Sequence, residues 1–161
     1  MPIARKAGST ESASKQLAAF IAKYDPSVAT LARACRATMR KILPTANELV
    51  YDNYQFLAIG YSSTERASDS LLSLAVSPKG VALCMYYGAH LPDPKKIMYG
   101  GGTQVRFVKV EGAKSLTAPP VRALIRAADA HGTVPLPRAG KGRLIIKAIS
   151  AKQRPRRATK R

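Results

Sequence analysis

The segment GVALCMYYGAHLPDPKKIMYGGGTQVRFVKV (Gly80–Val110) sets how the rest of this 161-residue chain is arranged. Val81–Tyr87 is a nearly unbroken apolar and aromatic run. It is too short for an ordinary helix and is closed by Gly88, which predicts a buried strand. His90–Thr103 contains two prolines and three consecutive glycines, which predicts a shaped loop. Gln104–Val110 alternates and predicts a second strand, so the segment is a good candidate for building a concave site.

Helical periodicity lies on both sides of this segment. Ser14–Tyr24 carries a short apolar stripe, and a longer stripe begins at Pro26 and ends before Pro44. We expect the Asp25 side chain to cap the start of that second helix. A last helix follows Thr117–Pro120 and ends near residue 132.

Strand patterning fills the space between these helices. Glu48–Ser62 reads as one or two strands, and Leu71–Val76 forms a hairpin with the 81–87 strand through a four-residue turn. The elements show no βαβ alternation. The chain is therefore predicted to be an α+β protein, with an antiparallel sheet of about five strands and with two N-terminal helices and one C-terminal helix packed on it.

The charge distribution divides the chain further. The net charge is +18, and residues 134–161 carry ten Lys and Arg and no acid. We predict a disordered N-terminus over 1–13, an α+β domain over 14–132 and a basic, flexible tail over 133–161. The tail either associates weakly and non-specifically with nucleic acid or another polyanion, or is a neutral extension. Leu144–Ile149 leaves open a short edge strand within it.

Composition places the protein in the cytoplasm and away from membranes. No apolar stretch reaches the roughly 20 residues of a membrane span, and the N-terminus lacks the apolar core of a secretory signal. The two cysteines, Cys35 and Cys84, give no disulfide framework and suit a reducing compartment. Both are expected to be inert buried thiols.

Four motifs carry a family resemblance. They are, in chain order, Leu-Pro-x-Ala-x-Glu at Leu43–Glu48 followed by Tyr51, Tyr-Gly-Ala at Tyr87–Ala89, Leu-x-Asp-Pro at Leu91–Pro94, and Gly-x-Gly-x-x-x-Arg at Gly100–Arg106. With these motifs the chain from about Leu17 to His131 resembles the YdhG-like domain family, small α/β proteins mostly of unknown function. The resemblance implies an antiparallel sheet with flanking helices, similar to frataxin. Some members are labelled iron chaperones.

The glycine run and the tyrosines are the candidate binding groups. Gly100–Gly102 could present backbone N–H groups to an anion with Arg106 as the cation, or could simply form a tight turn. Tyrosines supply flat faces with polar tips, either for a pocket or for sheet packing. The candidate binding residues are Glu48, Tyr51, Tyr87, Tyr99, Gly100, Gly102 and Arg106.

Catalytic and metal signatures are not found. No nucleophile elbow or Cys-His pair occurs, which favours a non-enzymatic protein without settling the point. The histidines and cysteines are not at ligand spacing, and the acids are few and scattered, so no metal site and no cofactor is predicted. The first hypothesis is a binding module for a small anionic ligand or a partner, with a polyanion-binding tail. The alternative is an intracellular iron-binding chaperone of the frataxin type.

Overall fold

The computed structural model describes residues 10–158 of the chain. Residues 1–9 of the predicted disordered N-terminus lie outside the described residues. Residues 10–13, which were assigned to the same segment, instead form the first turn of a helix. None of the helices in the described part of the chain combines the length and hydropathy that a membrane span requires.

Three helices and one sheet confirm the α+β class. In chain order the elements are α1 (Thr10–Ala22), α2 (Pro26–Ile42), β1 (Asn47–Asp52), β2 (Leu57–Ser62), β3 (Ser70–Ser77), β4 (Gly80–Met85), β5 (Met98–Tyr99), β6 (Arg106–Val110), α3 (Pro119–His131) and β7 (Leu144–Ile149). Short 3-10 turns cover Ala67–Asp69, Gly88–His90 and Ala113–Thr117.

The sheet is larger than predicted and is not wholly antiparallel. Its order is β5-β6-β4-β3-β2-β1-β7, and only the β1–β7 pair is parallel. The estimate of about five antiparallel strands was wrong because β5 has only two residues and β7 comes from the tail. The predicted hairpin of β3 and β4 is confirmed, with Val76 opposite Val81 and Leu72 opposite Met85.

The two faces of the sheet differ. Side chains alternate along each strand, and the face bearing Val50, Ile59 and Leu72 packs with residues of all three helices into one apolar cluster. Leu49 and Ala58 are buried on the other face and lie outside that cluster. The core therefore sits between the helices and a single face of the sheet.

Helix α2 follows its sequence pattern closely. Pro26 occupies the first turn, and the buried stripe includes Ala32, Cys35 and Met39. Burial raises the pKa of the Cys35 thiol to about 11, as expected of an inert thiol. The Asp25 side chain does not cap the helix. Its carboxylate accepts a hydrogen bond from the Ala158 backbone N–H at 3.2 Å instead.

The tail is docked on the domain, and the short edge strand that the sequence left open at Leu144–Ile149 is present as β7. Strand β7 runs parallel to β1 as the outermost strand of the sheet. The backbone contacts continue on both sides of the strand. The Arg143 N–H donates to Asn47 Oδ1 at 2.8 Å, and the Arg154 N–H donates to the Tyr54 carbonyl at 2.9 Å.

A buried ion pair holds the far end of the tail. Arg156 Nη2 lies 2.8 Å from Asp52 Oδ1, and the two side chains are 3% and 1% exposed. Lys23 Nζ reaches the other carboxylate oxygen of Asp52 at 2.8 Å, and the Arg156 guanidinium lies 5.7 Å from the centre of the Tyr24 ring. A strongly basic segment can dock because its most buried cation is neutralised in this way.

Gly142 is the tightest point of this docking, and its substitution gives a first prediction. Its N–H donates to the Pro44 carbonyl at 3.0 Å, and a Cβ at this position would overlap the Ala46 carbonyl. We expect Gly142→Ala to displace the start of β7 and to lower the free energy of unfolding by about 1–3 kcal/mol. Urea denaturation measures this. Gly101→Ala is the control, because a Cβ there meets nothing within 4 Å, and an equal loss in both variants would contradict the tight contact.

Candidate functional site

The sheet separates two of the predicted site residues. Glu48 and Tyr51 lie on β1 at an odd spacing, so their side chains point to opposite faces. Glu48 is opposite Tyr61 and faces the helices, whereas Tyr51 is opposite Ala58 on the other face. They cannot line the same pocket.

Glu48 belongs to a buried polar cluster under α2. Arg36 donates to both carboxylate oxygens, from Nε at 2.9 Å and from Nη2 at 2.8 Å, and the Tyr61 hydroxyl donates to Oε2 at 2.9 Å. Burial, reinforced by the Glu48 carboxylate, raises the pKa of Tyr61 well above its usual value. Burial also disfavours the charge on Arg36, but the hydrogen bond and charge of Glu48 outweigh it and raise the pKa of that guanidinium. Glu48 is 5% exposed, and with these contacts its carboxylate has little surface left for a ligand.

Tyr51 and Tyr99 lie far apart. Tyr99 is on β5, stacked at 5.7 Å on Phe107 of β6, and it is 52% exposed. Five strand spacings of about 4.8 Å separate β5 from β1, so about 24 Å of sheet lies between the two tyrosines. Burial raises the pKa of Tyr51, and its buried hydroxyl has no hydrogen-bond partner among the described residues. A single pocket does not contain both rings.

The glycine loop is closed by its own arginine. Gly100 and Gly102 have φ angles of 118° and 92°, which only glycine adopts readily. Arg106 Nη1 donates to the carbonyls of residues 101, 102 and 105 at 3.0, 3.2 and 2.8 Å. A guanidinium that already binds three carbonyls is less free to bind an anion, and this geometry favours the turn interpretation of the glycines.

The described residues form a two-lobed cleft on either side of Tyr87, and of the seven predicted residues only Tyr87 lines it. One lobe has a volume of about 190 Å³. It lies between the start of β3, the end of α3 and the first residues of the tail. The other, of about 220 Å³, lies toward the C-terminal end of the glycine loop. The residues that line the cleft besides Tyr87 include Ser68, Asp69, Ser70, Leu71, Leu91, Gln104, Val105, Ala128, His131, Thr133 and Val134.

Local irregularities open this cleft. The pairing of β2 with β3 shifts between Tyr61 and Ser62, so Leu71 has no partner in the ladder and turns toward α3. Helix α3 stops at His131, and a Cβ on Gly132 would lie 3.1 Å from a Leu71 methyl group. The close approach of the chain at residue 132 thus sets the depth of the first lobe.

The cleft combines aromatic faces with free polar groups. The rings of Tyr87 and His131 lie 5.2 Å apart, and His90 stacks on His131 at 6.1 Å. Within residues 10–158, neither imidazole makes a hydrogen bond, and neither do the hydroxyls of Ser68 and Ser70. The Asp69 carboxylate accepts a hydrogen bond from Thr64 Oγ1 at 2.7 Å, so it is held in the wall of the cleft.

Reasoning from the sequence missed most of this lining. Ser70 and His131 are brought to Tyr87 from the start of β3 and the end of α3, and neither stands out in its own segment. The only sequence signal was the proximity of His131 to the helix-ending Gly132, since a residue at a helix end often faces a loop cluster.

Comparison with known protein families, with curated proteins and with solved structures finds no match to this chain. The described residues contain no group of three or more His, Cys, Asp or Glu side chains that could hold a metal ion.

Proposed function

We propose that this protein is a non-enzymatic binding module for a small planar molecule, and that its site is the cleft on either side of Tyr87. The observation that carries the proposal is the Tyr87–His131 ring pair with unpaired hydroxyl and imidazole groups around an apolar floor. Sites of this composition bind ligands by ring contact and fix their orientation with a few hydrogen bonds.

The size of the cleft limits the ligand. Each lobe is smaller than the roughly 300 Å³ at which ordinary ligand pockets begin, with volumes of about 190 and 220 Å³. A ligand therefore either fills one lobe with a single ring system or extends past the exposed edge of Tyr87 into the other. A heteroaromatic ring bearing hydroxyl groups satisfies both the aromatic wall and the serines.

The charge of the lining favours a neutral ligand over the anionic one predicted from sequence. The cleft is lined by one carboxylate, Asp69, and by no lysine or arginine among the described residues. Arg106, the cation proposed for an anion, binds its own loop. The net charge of +18 attracts anions to the molecule at long range but provides no contact for them here.

The alternative, an iron chaperone, receives no support from a specific observation. Hard iron binding needs clustered oxygen ligands, and the acids near the cleft are engaged elsewhere: Asp69 with Thr64, and Asp93 with the backbone N–H groups of Ile97 and Met98. The resemblance to YdhG-like proteins, on which that alternative depends, stays a prediction.

Replacement of Tyr87 tests the proposal directly. Adenosine is a suitable probe, because it joins a heteroaromatic ring to hydroxyl groups and carries no charge. We expect adenosine to shift the amide resonances of residues 68–71 and 131–134 of the isotope-labelled full chain, and Tyr87→Ala to weaken this binding about fivefold or more, since ring stacking contributes about 1–3 kcal/mol.

Tyr99→Ala is the matched control. Tyr99 is also an exposed tyrosine, at 52% against 36% for Tyr87, but it stacks on Phe107 outside the cleft. The control should bind adenosine as the wild type does. A pattern of shifts confined to residues 98–103, or an equal loss in both variants, would reject the cleft and place the site at the glycine loop. A panel of other neutral heteroaromatic fragments that all fail to shift the cleft would reject the ligand class.

A further inference from the structure

We infer that the docked tail and the β1–β2 turn together form a binding surface for single-stranded nucleic acid, at the end of the sheet opposite the cleft. This surface, called the basic tip below, consists of Tyr54, Phe56, Lys152, Arg154 and Arg157. It is independent of the cleft, and it exists only because the tail docks.

Two exposed aromatic rings mark the basic tip. Tyr54 and Phe56 occupy the four-residue turn between β1 and β2, where the Asn53 N–H donates to the Phe56 carbonyl at 3.0 Å. Their side chains are 50% and 36% exposed, among the most exposed large hydrophobic groups of the described chain. Exposed rings on a short, hydrogen-bonded turn can stack on bases with little loss of conformational entropy.

The tail places cations directly beside these rings. The Arg154 N–H donates to the Tyr54 carbonyl at 2.9 Å, and Arg156 Nη1 reaches the same carbonyl at 3.3 Å. These contacts fix the backbone of residues 152–157 against the turn, while the side chains of Lys152 and Arg154 remain exposed. In a single strand the cations can bind the flexible phosphate backbone, while the aromatic rings between them stack on the exposed bases.

The acids near the basic tip pair with Lys23, Arg156 and Arg157, and they leave Lys152 and Arg154 without an ion pair among the described residues. Asp52 is buried between Arg156 and Lys23, and its two cationic partners outweigh it. Asp25 is engaged by Arg157 at 3.7 Å and by the Ala158 N–H. Lys152 and Arg154 make no ion pair with any described residue, so they are available to phosphates.

A single strand fits this surface better than a duplex does. Rings contribute to binding only if bases can leave the stack, and a duplex would engage the cations alone. If Lys152 and Arg154 contact two phosphates, the logarithm of the association constant should fall with the logarithm of salt concentration at a slope of about −1.4.

The test measures binding of fluorescein-labelled dT12 and rU12 by anisotropy, with the full chain at two or more salt concentrations. We expect Tyr54→Ala to weaken binding of either strand about fivefold or more and to leave competition by heparin, a polyanion without bases, unchanged. The double variant Lys152→Gln/Arg154→Gln should weaken both strands and reduce the magnitude of the salt slope by about one or more. A difference between dT12 and rU12 in the wild type identifies which strand chemistry is preferred.

Matched controls separate the tip from the overall charge. Lys95→Gln/Lys96→Gln removes the same charge from the loop before β5, the edge strand farthest from β7, and Tyr99→Ala removes an equally exposed ring. Equal losses in the tip and control variants would overturn the proposal, as would a 12-base-pair duplex that binds the wild type as tightly as the single strands do. The duplex comparison needs no variant, so it decides the question even if a substitution unfolds the protein.

Discussion

Arg156→Ala is expected to lower the free energy of unfolding by about 3 kcal/mol. The guanidinium is 3% exposed and its Nη2 donates to Asp52 Oδ1 at 2.8 Å and to the Asn53 carbonyl at 2.5 Å. Removal of one member of a buried pair costs about 3–5 kcal/mol, because the other charge stays buried without its partner. Lys23, which is 40% exposed, still reaches Asp52, and for that reason we expect the lower end of this range.

Arg157→Ala is the natural comparison. It removes the same side chain one residue later in the tail, where the ion pair with Asp25 is 3.7 Å long and its members are 57% and 35% exposed. Exposed pairs contribute about 0–1 kcal/mol. Urea denaturation of both variants, followed by far-UV circular dichroism, should therefore show a large shift of the midpoint for the first variant and almost none for the second.

Limited proteolysis adds a local readout to the same pair of variants. When Arg156 is lost we expect cleavage within residues 150–158 at protease concentrations that leave the wild type intact, since Arg156 is the only buried residue of this segment. Equal stability and equal cleavage in the two variants would show that the buried pair does not hold the tail.

The ion pairs that dock the tail were not predictable from the sequence, and the reason is physical. Composition correctly identified a basic segment without acids, but its partners, Asp25, Asp52 and Glu65, lie far away in the chain. A local count of charge cannot show that a distant carboxylate is buried and needs a cation. The apolar residues of Leu144–Ile149 instead left open a short edge strand, and in the structure this segment forms β7.

The strands and α2 were predictable because their signals are local. The alternation of apolar residues in a strand and their spacing in a helix can be read from a short stretch of sequence. The hairpin of β3 and β4 was predicted from its turn. The same alternation puts Glu48 and Tyr51 on opposite faces of β1, yet both were predicted as binding residues of one site. The cleft was not predictable in this way, because a shift in the β2–β3 pairing and the end of α3 bring its walls together from segments about 60 residues apart along the sequence.

Glu48→Ala is expected to be the most destabilising of the single substitutions considered, with a loss of about 3–5 kcal/mol. The substitution leaves two groups without their acceptor: Arg36, which is half-buried and donates two hydrogen bonds to the carboxylate, and the buried Tyr61 hydroxyl, which donates a third. Each uncompensated buried donor costs about 1–3 kcal/mol, and more when it is charged. Arg33→Ala is the control, because it removes an exposed arginine one turn before Arg36 on α2. It should change the free energy of unfolding by less than about 0.5 kcal/mol.

A double-mutant cycle shows whether this loss comes from the cluster itself. Tyr61→Phe alone should cost about 1 kcal/mol, but in the Glu48→Ala background it should cost almost nothing, because the hydroxyl it removes no longer has a partner. Strictly additive losses would contradict a shared hydrogen-bond network. The adenosine titration separates the two roles considered for Glu48, since its carboxylate lies under α2 and not in the cleft. Glu48→Gln, measured under conditions where it is folded, should bind adenosine as the wild type does. If Glu48 contacted the ligand, the folded variant would bind adenosine more weakly.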